Sequence, residues 1–154
     1  MQEVNFDNHT YKFEFSDSDQ CWMGRVELNN VTLDIELYLQ DFQDNSINWA
    51  DFEDFLQFFD HNIMESVIAK SKALLLKFYE VTGGGDKLEE YRFEFESIIY
   101  KGKRYGGFFG DPTHQYSLLF KLYRQEYIES YDPYGNYFIE IDNGLIIGCK
   151  RVQV

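Results

Sequence analysis

The chain has 154 residues, is 44% hydrophobic and 19% aromatic, and carries 14 Lys+Arg against 27 Asp+Glu, a formal net charge of −13. This hydrophobic content excludes an intrinsically disordered chain, and the length fits one domain over residues 1–154. The acidic balance disfavours nucleic acid and anionic membranes as partners, because both attract surfaces rich in Lys and Arg.

The excess charge lies at one end of the sequence. Residues 1–60 hold 14 acids and two bases, 2 − 14 = −12, whereas residues 61–154 hold 13 acids and 12 bases, 12 − 13 = −1. An acidic surface attracts basic partners and speeds their docking, although the same charge can serve solubility alone. The charge therefore predicts either a basic protein partner or a merely solvated surface.

The N-terminal segment gives no sign of export, since residues 1–7 contain neither a basic patch nor an apolar stretch. No apolar run approaches the ~20 residues that cross a bilayer. We therefore expect a cytoplasmic protein in which Cys21 and Cys149 remain free thiols, because the cytosol is reducing. A disulfide between a first and a last strand is the less favoured alternative.

The first third of the chain predicts β-structure. Aromatic and polar residues alternate over 11–15 at the period of a half-buried strand. Two further alternating runs, over 22–28 and 31–39, meet at Asn29-Asn30. Because Asn tolerates positive φ, this pair predicts a tight hairpin.

The middle of the chain predicts helices. Residues 48–81 contain neither Pro nor Gly, and their apolar residues follow helical spacing. A single helix of this length would be about 50 Å long, which exceeds the diameter of a small domain. We therefore predict two helices with a break near 60–62. Ser46 or Asn48 is suited to cap the first helix, since either side chain can accept a hydrogen bond from the first turn.

The remainder of the chain predicts strands again, separated by turn signals. Lys101-Gly102 predicts one turn, and Asp142-Asn143-Gly144 predicts the loop of a hairpin because Asn-Gly favours such loops. The predicted strands cover 91–100, 103–109, 116–123, 126–131, 137–141 and 145–152, with a further turn at 110–112. The fold class that follows is α+β: an antiparallel β-sheet, made of an N-terminal hairpin and a C-terminal meander, packed against one or two helices.

Residues that carry catalysis or hold metals are scarce. His9, His61 and His114 have no His or Cys partner at metal-ligand spacing, so each is expected to be a surface or turn residue. Catalytic motifs such as HExxH, CxxC and GxSxG do not occur. The basic, glycine-rich segment 101–110 lies between predicted strands, which favours a glycine-bulged hairpin over a phosphate-binding loop. We therefore expect no metal, no cofactor and no enzymatic activity.

One segment combines acidic and aromatic residues without any base. Its aromatic residues, five in the eleven positions 49–59, exceed what one helical stripe can bury, so at least one is expected to be exposed. Exposed aromatic residues ringed by charge are typical anchors of protein interfaces. The alternative is that all of them pack in the core while the acids are solvated. The predicted partner-binding residues are Asp41, Asp44, Trp49, Asp51, Phe52, Glu53, Asp54 and Asp60.

Two sets of turn and core residues, together with the helical stretch 49–80, form a recognisable combination. The residues are Trp22, Gly24, Val26, Asn29, Val31 and Leu33 in the first set, and Gly135, Tyr137, Phe138, Asp142, Gly144, Leu145, Ile146, Ile147 and Gly148 in the second. The combination resembles a family of small bacterial proteins labelled domain of unknown function 2262. The resemblance implies the role attributed to such families, that of an immunity protein encoded beside a polymorphic toxin.

The leading hypothesis is therefore a non-enzymatic binding protein, most concretely an immunity protein that neutralises a basic bacterial toxin through its acidic surface. The alternative is a small-molecule-binding or enzymatic α+β domain, because Tyr and Phe are abundant enough to line a pocket. A structural subunit that forms a homo-oligomer is a third hypothesis.

Overall fold

The structure is a computed structural model that describes residues 1–28, 30–59, 64–84, 88–104, 112–125, 129, 131–142 and 144–154. Its strands are β1 (Gln2–Phe6), β2 (His9–Ser16), β3 (Cys21–Leu28), β4 (Val31–Tyr38), β5 (Tyr91–Arg104), β6 (Thr113–Arg124), β7 (Gly135–Asp142) and β8 (Leu145–Gln153). Its two longer helices are α1 (Trp49–Phe58) and α2 (Met64–Tyr79). Shorter helical turns are Leu39–Asp41, Gln43–Asn45, Glu80–Gly84 and Leu88–Glu90.

All eight strands belong to one sheet, in which they lie in the order of the sequence. Neighbouring strands are antiparallel except β4 and β5, which are parallel and share three residue pairs from Asp34–Ser97 to Glu36–Ile99. A parallel pair needs a crossover connection, and the segment that carries α1 and α2 supplies it. The sheet therefore consists of a first meander (β1–β4) and a second meander (β5–β8).

The predicted mixture of helices and strands is confirmed, but the predicted sheet was too small. The first meander has four strands where a hairpin was expected, because β1 pairs with β2 along its whole length. Asp7 (φ 48°) and Asn8 (φ 61°) form the loop between them. Two successive positive φ angles give a loop whose twist matches that of the flanking strands.

The predicted turn at Lys101-Gly102 was wrong, because β5 continues through it to Arg104. The pairing of β5 with β6 shifts register between Tyr100 and Gly102, and Gly102 has a φ of 108°. The glycine therefore makes a β-bulge, which bends the strand without ending it. The strand expected over 103–109 and the turn at 110–112 fall mostly outside the described residues.

Three local predictions can be checked in the described residues. The hairpins that join β3 to β4 and β7 to β8 are both confirmed. The loop residues Asn29 and Asn143 themselves lie outside the described residues. The strand expected over 126–131 is not confirmed: Tyr131 lies in a bend, and 126–128 and 130 lie outside the described residues.

The middle segment forms two helices, as predicted, and the expected break near 60–62 lies outside the described residues. Asn48 caps α1: its Oδ1 accepts a hydrogen bond from the Asp51 N–H at 3.2 Å. Both helices pack on one face of the sheet and bury its apolar side chains. In the part of the chain that the structure describes, no helix covers the opposite face, called the outer face below.

Candidate functional site

The predicted partner-binding residues lie in two places. Asp41 and Asp44 lie in the two helical turns that follow β4, and both are exposed. Trp49, Asp51, Phe52, Glu53 and Asp54 lie on α1. Asp60 lies outside the described residues. The structure thus brings most of the set to one side of the molecule, around the beginning of α1.

The aromatic residues of α1, and Phe59 directly after it, pack in or against the hydrophobic core. Phe52, Phe55 and Phe59 are fully buried, while Trp49 and Phe58 are half-buried. Phe52 packs edge-on against Phe13 of β2, with 5.4 Å between ring centroids. The expectation that Phe52 contacts a partner is therefore corrected, because its side chain has no surface to offer in this fold.

Two acids of α1 are bonded within the chain. The Asn5 N–H donates to Glu53 Oε1 at 2.9 Å, so Glu53 satisfies a backbone group on the free side of the edge strand β1. Lys103 Nζ donates to Asp54 Oδ2 at 3.0 Å. This hydrogen bond lowers the pKa of Asp54 below its ordinary value. Neither carboxylate is as available to a partner as the sequence suggested.

The prediction that His114 is a surface or turn residue was wrong. His114 is buried on the core face of β6, with Nε2 3.2 Å from Asp54 Oδ2 and Nδ1 3.1 Å from the Tyr100 hydroxyl. The Asp51 carbonyl lies 3.3 Å from the Tyr100 hydroxyl, whose single proton is shared between this carbonyl and His114 Nδ1. Burial lowers the pKa of His114, so the ring is neutral at pH 7. His9, by contrast, is exposed as predicted.

Asp54, His114 and Tyr100 form a hydrogen-bonded series in the order of an acid–base relay. A substrate has no access to this series from solvent at its Tyr100 end. Tyr100 is fully buried, so a substrate cannot reach the hydroxyl at its inner end. The series instead joins α1 to β5 and β6. A buried His that is hydrogen-bonded on both nitrogens satisfies its polar atoms, which makes this a structural network.

The largest set of available carboxylates lies on the outer face of the first meander. Side chains alternate between the two faces of a strand, so the polar positions of β1–β4 share this face. We call it the acidic strand face; it carries Glu3, Lys12, Glu14, Met23, Arg25, Glu27, Asp34 and Glu36. Five acids and two bases give 2 − 5 = −3.

Few of these acids are neutralised. Arg25 Nε donates to Asp34 Oδ1 at 2.7 Å, an exposed pair. Glu36 accepts a hydrogen bond from Tyr38 at 2.8 Å. Glu14 and Glu27 are exposed and have no hydrogen bond or ion pair in the described residues. On the second meander, by contrast, Glu140 of β7 has cationic neighbours on both sides, Lys101 at 3.0 Å and Lys150 at 3.3 Å.

Met23 lies at the centre of the acidic strand face. Its neighbours across β2 and β4 are Glu14 and Glu36, and its side chain is 42% exposed. A large apolar side chain between carboxylates can supply the desolvated contact of an interface, and Met adapts to varied surfaces. This face is not among the surfaces that the sequence predicted. The sequence contained a signal for it, because the exposed positions 23, 25 and 27 of β3 alternate with positions that face the core.

The cysteines provide no reactive site. Both are free, as predicted, and they lie in β3 and β8, well separated in the sheet. Burial raises the pKa of Cys21 to about 11, so its thiol is protonated and unreactive at pH 7. Within the described residues, no group of three or more His, Cys, Asp or Glu side chains could hold a metal ion.

One cleft is rich in tyrosine. It lies near the end of α2, has a volume of about 590 Å³, and is lined by Tyr79, Thr82, Leu122, Tyr131, Asp132, Tyr137 and Arg151. Asp132 accepts from Tyr137 at 2.8 Å and from Arg151 at 2.7 and 3.0 Å. Its carboxylate is therefore already bound within the chain.

These features define a mixed α/β protein with a broad sheet, helices on one face and an acidic, partly apolar outer face. Comparison with models of protein families, with curated proteins and with solved structures finds no match to the chain. The resemblance to domain of unknown function 2262 stays a prediction. Among the described residues, no helix is both long and apolar enough to cross a membrane.

Proposed function

We propose that the protein is a non-enzymatic binding protein that captures a basic protein partner on the acidic strand face. The observation that carries this proposal is the set of unpaired carboxylates, Glu14 and Glu27 above all, around the exposed Met23. Charge of this kind steers a basic partner to the surface, and a central apolar side chain supplies a contact that excludes water.

The acids near α1 contribute to the same field. The Leu39 N–H donates to the Gln20 carbonyl at 3.0 Å, which ties the turn after β4 to the loop between β2 and β3. Asp19, Asp41 and Asp44 therefore lie at one end of the first meander and extend the acidic strand face beyond the strands. A partner that covers this face meets the acids predicted from the sequence at its rim.

In its most concrete form, the partner is a basic bacterial toxin and the protein is its immunity protein, acting in the cytoplasm. This identity depends on the resemblance to domain of unknown function 2262, whereas the choice of binding surface depends on the structure. Co-purification with the product of the adjacent gene tests the identity first.

The binding surface is tested by two charge-reversal variants that have the same net charge as each other. Glu14→Lys with Glu27→Lys changes the acidic strand face, while Glu65→Lys with Glu89→Lys makes the same change of charge at exposed positions elsewhere. We expect the first pair to slow association with the partner about tenfold at low salt, since steering raises association rates by about 10–10³. The second pair should alter the rate by no more than about twofold.

Raising the ionic strength should remove the difference between the two pairs, because salt screens exposed charges beyond about 8–10 Å. Equal association rates for both pairs, at every salt concentration, would exclude the acidic strand face as the docking surface. Met23→Ala should mainly raise the dissociation rate, because a desolvated contact acts after docking.

A second candidate, a small-molecule-binding or enzymatic domain, has one supporting observation, the tyrosine-lined cleft near Asp132. A ligand there would have to compete with Arg151 and Tyr137 for the carboxylate. Fragment screening by NMR tests it: ligand-dependent shifts confined to Tyr79, Tyr131 and Tyr137 would support it, and their absence would count against it.

A further inference from the structure

The sheet has two edges, and they differ in how they are protected. At one edge, β1 is five residues long and its Asn5 N–H is bonded to Glu53 of α1. At the other edge, β8 is nine residues long and pairs with β7 alone in the described part of the chain. Unpaired backbone groups along a long edge strand are a template for adding another strand.

The β8 edge also exposes aliphatic side chains. Leu145 and Ile147 are each 66% exposed, and Val152 is 40% exposed. Edge strands are ordinarily kept apart by charge, by proline or by a bulge. β8 has a bulge where its pairing with β7 shifts after Glu140, but its residues 145–153 contain no proline.

Both cations of β8 have a carboxylate neighbour within the chain, and Lys150 shares its carboxylate, Glu140, with Lys101. Lys150 Nζ lies 3.3 Å from Glu140 Oε1, and Arg151 makes two hydrogen bonds to Asp132, at 2.7 and 3.0 Å. A second β8 brought alongside would therefore meet apolar side chains and cations that are at least partly compensated. The repulsion that usually protects an edge strand is weak here.

The charge distribution of the chain identifies the occupant. The first meander with its loops, residues 1–38, holds eight acids and two bases, 2 − 8 = −6, and lies at the far side of the sheet from β8. Strands are about 4.8 Å apart, so β8 lies about 19 Å from β4, beyond the screening length of about 8 Å. Two copies joined at β8 keep their acidic ends apart, whereas two copies joined at β1 would bring those ends together.

We propose that two copies of this chain associate through β8, paired antiparallel about a two-fold axis, to form one continuous sheet. Such an interface is isologous, since each copy contributes the same strand. Backbone hydrogen bonds provide the pairing, and Leu145, Ile147 and Val152 pack across it. The acidic strand face of each copy stays open, so this association is independent of the proposed function.

Sedimentation equilibrium of the full chain tests the proposal. The wild type should approach twice the chain mass of 18.4 kDa as its concentration rises. Ile147→Lys with Val152→Lys places like charges across the new pair and should weaken the dimer about tenfold or more. The control, Val81→Lys, adds one positive charge at a valine that is 80% exposed in the helical turn after α2, and it should leave the dimer unchanged.

A wild type that remains monomeric up to about 1 mM overturns the proposal. So does a dimer that the edge variant and Val81→Lys weaken equally, because another surface must then hold it. Amide hydrogen exchange gives a test without any variant: β8 amides should exchange more slowly in concentrated than in dilute protein, with β1 amides as the internal control. Unchanged β8 exchange also overturns the proposal, and aggregates beyond a dimer would indicate strand addition without the two-fold axis.

Discussion

Replacing Gly24 by alanine should destabilise the protein, although alanine is ordinarily the better residue in a strand. Gly24 of β3 lies opposite Phe13 of β2. A Cβ atom at this position would lie 2.8 Å from Cγ and Cδ1 of the Phe13 ring, closer than real Cβ contacts. The ring would have to move by roughly 0.6 Å to restore an ordinary van der Waals distance.

The surroundings of the ring determine the size of the effect. Phe13 is fully buried and packs edge-on against Trp49 at 5.9 Å and Phe52 at 5.4 Å, so any movement disturbs the packing of α1. Overpacking of a core costs about 1–3 kcal/mol. Alanine returns about 0.5–1 kcal/mol, because glycine loses more backbone entropy on folding. The middle of the two ranges gives a net loss of about 1.3 kcal/mol (2 − 0.75), or a Tm lower by roughly 3–5 °C for a chain of this length.

Urea unfolding followed by circular dichroism measures this difference. Gly148→Ala is the matched control, since a Cβ on Gly148 of β8 meets nothing within 4 Å. It should be neutral or stabilising by up to about 1 kcal/mol. Adding Phe13→Leu to Gly24→Ala should cost less than the sum of the two single changes, because the smaller side chain makes room. A Gly24→Ala protein as stable as the wild type would refute the close approach of the ring.

Two further predictions concern titratable groups. Asp132→Asn should cost about 1–3 kcal/mol at pH 7 in urea unfolding, because the buried Tyr137 hydroxyl loses a charged acceptor, whereas the exposed Arg151 pair contributes little. Hydrogen bonds from Arg151 lower the pKa of Asp132 below 3.8, so its contribution is present above that pH and should shrink as the pH falls through and below it. Burial lowers the pKa of His114 below 6.5, so stability should fall as the pH drops below about 6.5 and the unfolded chain takes up a proton. NMR titration should give a pKa for His114 below the ordinary histidine value of 6.5, and His114→Gln should flatten the stability profile between about pH 7 and 5.

Local patterns predicted the hairpins and helices well, because each signal lies within a few residues. Asn29-Asn30 and Asp142-Asn143-Gly144 both join antiparallel strands, and Asn48 caps α1 as one of two proposed residues. β1 was missed, although Val4 and Phe6 alternate with polar residues, because five residues give a weak periodic signal.

The errors arose where pairing across the sheet decides the outcome. Gly102 has the sequence signature of a turn, but its bulge depends on register with β6. His114 continues the buried alternation of Tyr116 and Leu118, so extending that pattern by two residues would have placed it in the core. The partner that compensates its burial, Asp54, is 60 positions away in sequence (114 − 54 = 60), and no spacing rule connects them.

The sequence predicted that the binding surface is acidic, but it did not predict where on the fold that surface lies. The acidic N-terminal half could be counted from the sequence, yet the count did not distinguish the helix from the strands. Glu53 accepts a hydrogen bond from Asn5, and Asp54 accepts one from Lys103. These contacts depend on how α1 packs against the sheet, so the sequence does not show them. Met23 is a candidate contact residue because its neighbours on the adjacent strands are carboxylates. The register of β3 with β2 and β4 places these residues side by side, and the sequence alone does not give that register.

The parallel contact between β4 and β5 has a consequence for the order of folding. Every other pair of neighbouring strands is separated by at most ten residues of sequence. In the β4–β5 pair, by contrast, the partners Asp34 and Ser97 are 63 positions apart (97 − 34 = 63). Closing a loop of that length costs roughly 4 kcal/mol of chain entropy, which three residue pairs alone do not offset. We therefore expect the two meanders to form first as local units and the burial of α1 and α2 across both of them to drive their union.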